Sequence, residues 1–160
     1  MTTATECHPN YLAVINGPKP DSPAGIVYRA ADLLEARARK LDRTPPWTVQ
    51  PEGADGVEVV SDDNSMLIAE IGPLDDPTTA HVADFIAALD PEFALLAAEA
   101  WEHQGDDMGD YGAHFHLAPV GPVVVDSHGE YRTDWTATVR AALKYLRETA
   151  PVVEAVDAHA

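Results

Sequence analysis

The chain has 160 residues, 46% of them hydrophobic, which is enough for one domain with a core that needs no covalent staples. Its single cysteine, Cys7, excludes an internal disulfide framework and fits a reducing compartment. Its net charge of −17, from 27 acids against 10 Lys plus Arg, has the wrong sign for direct contact with nucleic acid or an anionic membrane.

Residues 1–24 read as a flexible amino-terminal tail. The start, MTTATECHPN, lacks a basic segment followed by an apolar run, so no secretory signal is expected. The stretch HPNYLAVINGPKPDSPAG is punctuated by four prolines and two glycines. Its short apolar piece, Tyr11 to Ile15, suits a strand added at a sheet edge or a docking peptide. The first helix is predicted over 25–43, with Ile26, Ala30, Leu33, Leu34 and Leu41 on one stripe. Arg37, Arg39, Lys40 and Arg43 crowd its last turns, where cations suit the helix dipole. Thr44-Pro45-Pro46 ends it.

Three strands follow, at 47–50, 57–60 and 66–71, separated by the turns Gly53-Ala54-Asp55-Gly56 and Asp62-Asp63-Asn64-Ser65. Two tight connections in succession predict an antiparallel meander. Trp47, Val49, Val57 and Val59 would face helices. Asp76-Pro77 and Asp90-Pro91 each put a capping carboxylate before a proline at the first helical position. They open helices predicted over 77–89 and 91–104. The expected core stripes are Val82, Phe85, Ile86 and Leu89 on the first, and Phe93, Leu96, Ala97, Ala100 and Trp101 on the second. Residues 105–132 read as an irregular loop in which HFHLAPV and PVVVD could pair as a hairpin. A last helix over 133–149 would bury Trp135, Val139, Ala142, Leu143 and Leu146. Residues 150–160 form an acidic tail. The expected fold is α+β: one domain over 25–149, with a three-stranded antiparallel sheet packed against about four helices.

Catalytic patterns are weak, and no enzyme activity and no cofactor are expected. Cys7 sits beside His8 in the tail, without a rigid frame. Asp126-Ser127-His128 holds triad residue types, but neighbours in sequence do not make triad geometry. The stretch EHQGDDMGDYGAHFH, Glu102 to His116, is the strongest candidate for a metal site. On a strand His114 and His116 share a face, and His128, Asp106, Asp107, Asp110 and Asp126 could add ligands. The glycine-then-HxH pattern resembles that of cupins, but the later glutamate and the eight-strand pattern of a jelly roll are missing. The competing reading is a solvated acidic loop.

Charge distribution points elsewhere. Residues 45–132 hold eighteen acids and one cation, Arg132. Carboxylates at Asp55, Asp62 and Asp63 on sheet turns, at Asp75, Asp76, Asp90 and Glu92 on helix starts, and at Asp106, Asp107 and Asp110 could imitate the phosphate rows of a duplex. The expected partner is a basic host or phage protein, with no direct nucleic acid and no membrane. A homo-oligomer exchanging the 11–15 segment is a further reading. No stretch nears the roughly 18 apolar residues of a membrane span, and the expected location is cytoplasmic.

From about Ala30 to Glu148 the chain resembles small, largely uncharacterised proteins of actinobacteria and their phages, described as Ead-like after early-region phage proteins. Pro46-Trp47, the run Met66 to Ile71, and His81 through Pro91 carry the likeness. The resemblance implies a phage or prophage accessory protein, in the cytoplasm of a host cell. It supplies no catalytic residues.

Overall fold

The computed structural model describes residues 19, 21–41, 44–50, 56–61, 66–118 and 121–147. The fold is α+β. In chain order the elements are α1 (Pro23–Arg39), β1 (Trp47–Gln50), β2 (Val57–Ser61), β3 (Leu67–Ile71), α2 (Thr78–Ala88), α3 (Pro91–Asp110), β4 (His114–Ala118), β5 (Gly121–Val125) and α4 (Thr133–Leu146). The chain forms two compact units, a central one over Leu34–Ala98 and a terminal one made of Met1–Leu33 and Glu99–Ala160.

The central unit is the predicted meander, with strand order β1-β2-β3. Trp47 pairs with Ser61 and Val49 with Val59 across β1 and β2. Between β2 and β3 the register slips: Val59 opposes Ala69, but Val60 opposes Leu67. Ile68 is the extra residue, and such a bulge re-aims the side chains around it. Ile68, Ala69 and Ile71 all reach the core, while Leu67 is exposed. Gly56 enters β2 where a Cβ would stand 2.4 Å from the Ile71 carbonyl oxygen, so the close approach requires glycine. Ser61 closes the β2–β3 connection: its amide donates to the Met66 carbonyl and its Oγ accepts the Met66 amide at 3.1 Å. At the entry to β1 the Trp47 indole donates to Thr44 Oγ1 at 3.1 Å, giving the ring's one polar atom a partner.

Helix α2 covers this sheet. The Asp-Pro opening works as expected. Asp76 Oδ1 accepts the Thr78 amide at 2.8 Å and the Thr78 hydroxyl at 2.7 Å. Those two bonds, the hydroxyl's first, hold the Asp76 carboxyl below the usual carboxylate range. Asp90 likewise accepts the Phe93 amide at 2.9 Å at the start of α3.

The buried faces of both helices differ from the expected stripes. On α2 the sheet is met by Thr79, Ala83, Ile86 and Ala87, while Val82, Phe85 and Leu89 are exposed. On α3 the buried positions are Pro91, Ala98, Gly105 and Met108, with Trp101 partly buried, while Phe93, Leu96 and Ala100 are exposed. The physical reason is size: Thr and Ala let α2 lie close on a sheet already lined with valine and isoleucine.

The terminal unit has the larger core. Ile26, Val27, Met108, Val124, Trp135, Val139 and Leu143 are buried together. Helix α1 starts at Pro23, two residues before the expected boundary, because Ser22 caps it. Ser22 Oγ accepts the Gly25 amide at 3.1 Å, which makes Ser22-Pro23 a third copy of the cap-then-proline device. Helix α1 ends at Arg39 rather than 43, and Arg39 Nε donates to Glu35 at 2.7 Å.

Helix α3 runs to Asp110, six residues past the expected end. Gly105 is buried where a Cβ would stand 3.0 Å from the Tyr28 ring. The helix stops at Gly112, whose φ of 65° is the left-handed cap conformation, and the Ala113 amide returns to the Met108 carbonyl at 2.8 Å. The hairpin β4–β5 follows, with His114 opposite Val125 and His116 opposite Val123. Most of the stretch expected to be an irregular loop is therefore in regular elements. The outer edge of β5 is covered: the Arg132 amide donates to the Val124 carbonyl at 3.0 Å, and the buried Val124 amide donates to Thr136 Oγ1 at 2.9 Å. Helix α4 buries Trp135, Val139, Ala142 and Leu143 as predicted, and ends at Arg147 in the left-handed conformation.

Candidate protein-interaction surface

Of the acids expected to meet a partner, Asp75, Asp76, Asp106, Asp107 and Asp110 are all exposed. Asp75 and Asp76 precede α2 in the central unit. Asp106, Asp107 and Asp110 ride the last turns of α3 in the terminal unit, on a helix rather than a loop. Asp55, Asp62 and Asp63 lie outside the described residues, as do Cys7, the 11–15 segment and the 150–160 tail.

Asp106 also has an internal task. The Tyr28 hydroxyl donates to Asp106 Oδ1. Burial, then this bond, then the negative charges of Asp106, Asp110 and Glu102 push the Tyr28 phenol well above its ordinary value. Asp106 therefore accepts a bond from Tyr28 while Asp106, Asp107 and Asp110 all stay exposed.

The histidine stretch is not assembled as a metal centre. His114 and His116 do share the exposed face of β4, and Phe115 between them turns inward against the core. The His114 ring stands 3.2 Å from the Gly112 carbonyl. Asp126, considered above as a ligand, is used by the backbone instead. Its Oδ1 accepts the Glu130 amide at 3.0 Å and the His128 amide at 2.9 Å, closing the turn after β5. The Glu130 amide is the larger cause that holds the Asp126 carboxyl below its usual range. Among the described residues no three His, Cys, Asp or Glu side chains are grouped to hold a metal ion. The glycines that suggested a ligand loop have other reasons: Gly105 admits the Tyr28 ring and Gly112 ends the helix.

Arg132, the lone cation of the 45–132 stretch, is engaged locally. Its guanidinium lies 4.0 Å from the centre of the Trp135 ring and donates to Asp134 at 3.1 Å. That bond is the first cause lowering the Asp134 carboxyl.

Sequence reasoning missed the apolar part of the surface. Val82 is 44% exposed, Phe85 67%, Leu89 44%, Phe93 50% and Leu96 60%. Val82, Phe85 and Leu89 recur at offsets 0, 3 and 7, so they form one stripe along α2 and its end. Phe93 and Leu96 make a shorter stripe on α3. Five large apolar side chains open to water on two successive helices exceed the single scattered exposures of an ordinary surface. A signal was present: α2 carries a second apolar row, Ala83, Ile86 and Ala87, about a third of a turn from the first. Only one of the two rows can face a single sheet.

Among the described residues no helix is long and apolar enough to cross a membrane. Searches against protein-family models, curated proteins and solved structures return no match to the chain.

Proposed function

We propose that the chain works without catalysis, as a phage-type accessory protein that binds a basic protein through its acidic surface. Its target would be a host or phage protein whose own task is to hold nucleic acid, and occupying that site would inhibit it. One observation carries the reading: eighteen acids and a single cation over residues 45–132. That cation, Arg132, is held by Asp134 and Trp135. A stretch so one-sided cannot neutralise itself along the sequence, and it speeds encounter with a positive partner while repelling nucleic acid. The resemblance of Pro46-Trp47, Met66 to Ile71 and His81 to Pro91 to early-region phage proteins suggests the biological setting and names no chemistry.

The test is capture of partners from a host lysate at low and at high salt, followed by competition with duplex DNA. The expected result is a basic partner that high salt releases and that DNA displaces. Capture indifferent to salt, or unchanged when Asp75, Asp76, Asp106, Asp107 and Asp110 are all replaced by asparagine, would overturn the proposal.

A further inference from the structure

The exposed apolar rows of α2 and of the start of α3 take no part in the central unit's core among the described residues. The sheet is already covered by Thr79, Ala83, Ile86 and Ala87. Burying Val82, Phe85, Leu89, Phe93 and Leu96 against a partner would remove from water the kind of area that anchors an interface, with two phenylalanines among the anchors. What surrounds the stripe narrows the choice of partner. Asp75 and Asp76 precede α2, and Asp90 and Glu92 stand between the two apolar rows in sequence; Asp84 is turned to the other side of α2 and does not border the stripe. No lysine or arginine occurs from Thr44 to Tyr131.

A second copy of this face would bring carboxylates against carboxylates, a like-charge juxtaposition that disfavours the pairing. An anionic lipid surface meets the same repulsion. A partner bearing an apolar row flanked by cations satisfies both parts at once. Ridges on a helical surface accept another helix's ridges. An amphipathic helix offers anchors at i, i+3 or i+4, and i+7 with charges at its borders.

We infer that Val82, Phe85, Leu89, Phe93 and Leu96 dock an amphipathic helix of the partner, with its apolar row on the phenylalanines and lysines or arginines over Asp75, Asp76, Asp90 and Glu92. The inference rests on the acidic-surface reading above and gives the partner its shape.

The experiment selects helical peptides of about 15 residues, four turns long, from a displayed random library on the full chain. The Phe85→Ser chain serves for counter-selection. Enriched peptides are expected to repeat an apolar i, i+3 or i+4, i+7 row bordered by Lys or Arg. Phe85→Ser and, separately, Leu96→Ser should each weaken them by about tenfold or more. Both side chains are mostly exposed, so circular dichroism and melting of the variants should match the parent. Enrichment of acidic or patternless peptides, or of none, overturns the inference. So does a dimer that Phe85→Ser dissociates in light scattering, because a second copy would then cover the face. Binding that emerges only after removal of residues 1–18 also overturns it, since the chain would then cover its own face. Loss of binding on replacing the acids with asparagine, but not with either serine variant, sinks the docked helix and leaves the acidic-surface reading standing.

Discussion

The two units spend their large apolar side chains in opposite ways. The terminal unit buries them: Trp135 is 1% exposed, and Ile26, Met108 and Val139 are as well hidden. The central unit builds its core from Val57, Val59 and Ala83, with Ile68, Ile71 and Ile86 partly buried, and leaves Phe85, Phe93 and Leu96 in water. Chains of similar composition can therefore use apolar residues for holding a fold or for presenting a surface. Burial, rather than residue type, separates the two uses.

The sharpest way to break this contrast is to remove one large side chain from each unit. Trp135→Ala should lower stability by about 3–5 kcal/mol, the usual cost of deleting a buried aromatic. Phe85→Ser should change it by no more than about 0.5 kcal/mol. Denaturant titration of the two variants beside the parent decides. Equal losses would mean that Phe85 is core and that no apolar face is on offer.

A smaller effect probes how the terminal unit closes its hairpin edge. Thr136→Val keeps shape but removes the oxygen that accepts the buried Val124 amide. The orphaned donor should cost about 1–3 kcal/mol. Hydrogen exchange should place the loss at β5 and α4, with the central meander's amides unchanged. Smaller still are the caps. Ser22→Ala in the terminal unit and Asp90→Ala in the central unit each free one helix amide. Each should cost about 1 kcal/mol by thermal or chemical melting. Similar costs would show that the units differ in packing and not in how their helices begin.

How much of this was legible follows from which forces act locally. The meander was readable because alternation and tight turns are short-range, and Trp47, Val49, Val57 and Val59 fell where a two-residue period puts them. The Asp76 and Asp90 caps were readable because a carboxylate before proline has one favourable local use. The face of α2 was not, because both of its rows are apolar and the choice rests on how closely Ala83 can approach a sheet distant in sequence. Helix α3 looked finished at Gln104 because Gly105 reads as a stop; its reason is the Tyr28 ring, 77 positions earlier. The acids at the end of α3 were expected on a loop and stand on a helix, and the bond from Tyr28 to Asp106 is a tertiary fact with no trace in the local pattern.

The gentlest test separates the units by their titrating groups. The four described tyrosines, at 28, 111, 131 and 145, belong to the terminal unit, and no tyrosine occurs between Leu34 and Ala98. Burial and Asp106 favour the neutral phenol of Tyr28, so its folded value lies above the unfolded value of about 10. Below pH 10 both states hold the proton, and its stabilising contribution is complete. As pH rises past 10 the unfolded chain releases the proton while the folded one keeps it, so the unfolded state binds fewer protons and stability falls. The fall continues until the folded phenol ionises in turn. Phenolate absorbance should therefore show a late ionisation step, and Tyr28→Phe should abolish that last step and flatten the alkaline loss of stability. A Tyr28→Phe chain with an unchanged last step would mean that another phenol is the protected one and that Asp106 is free to face a partner with its whole charge.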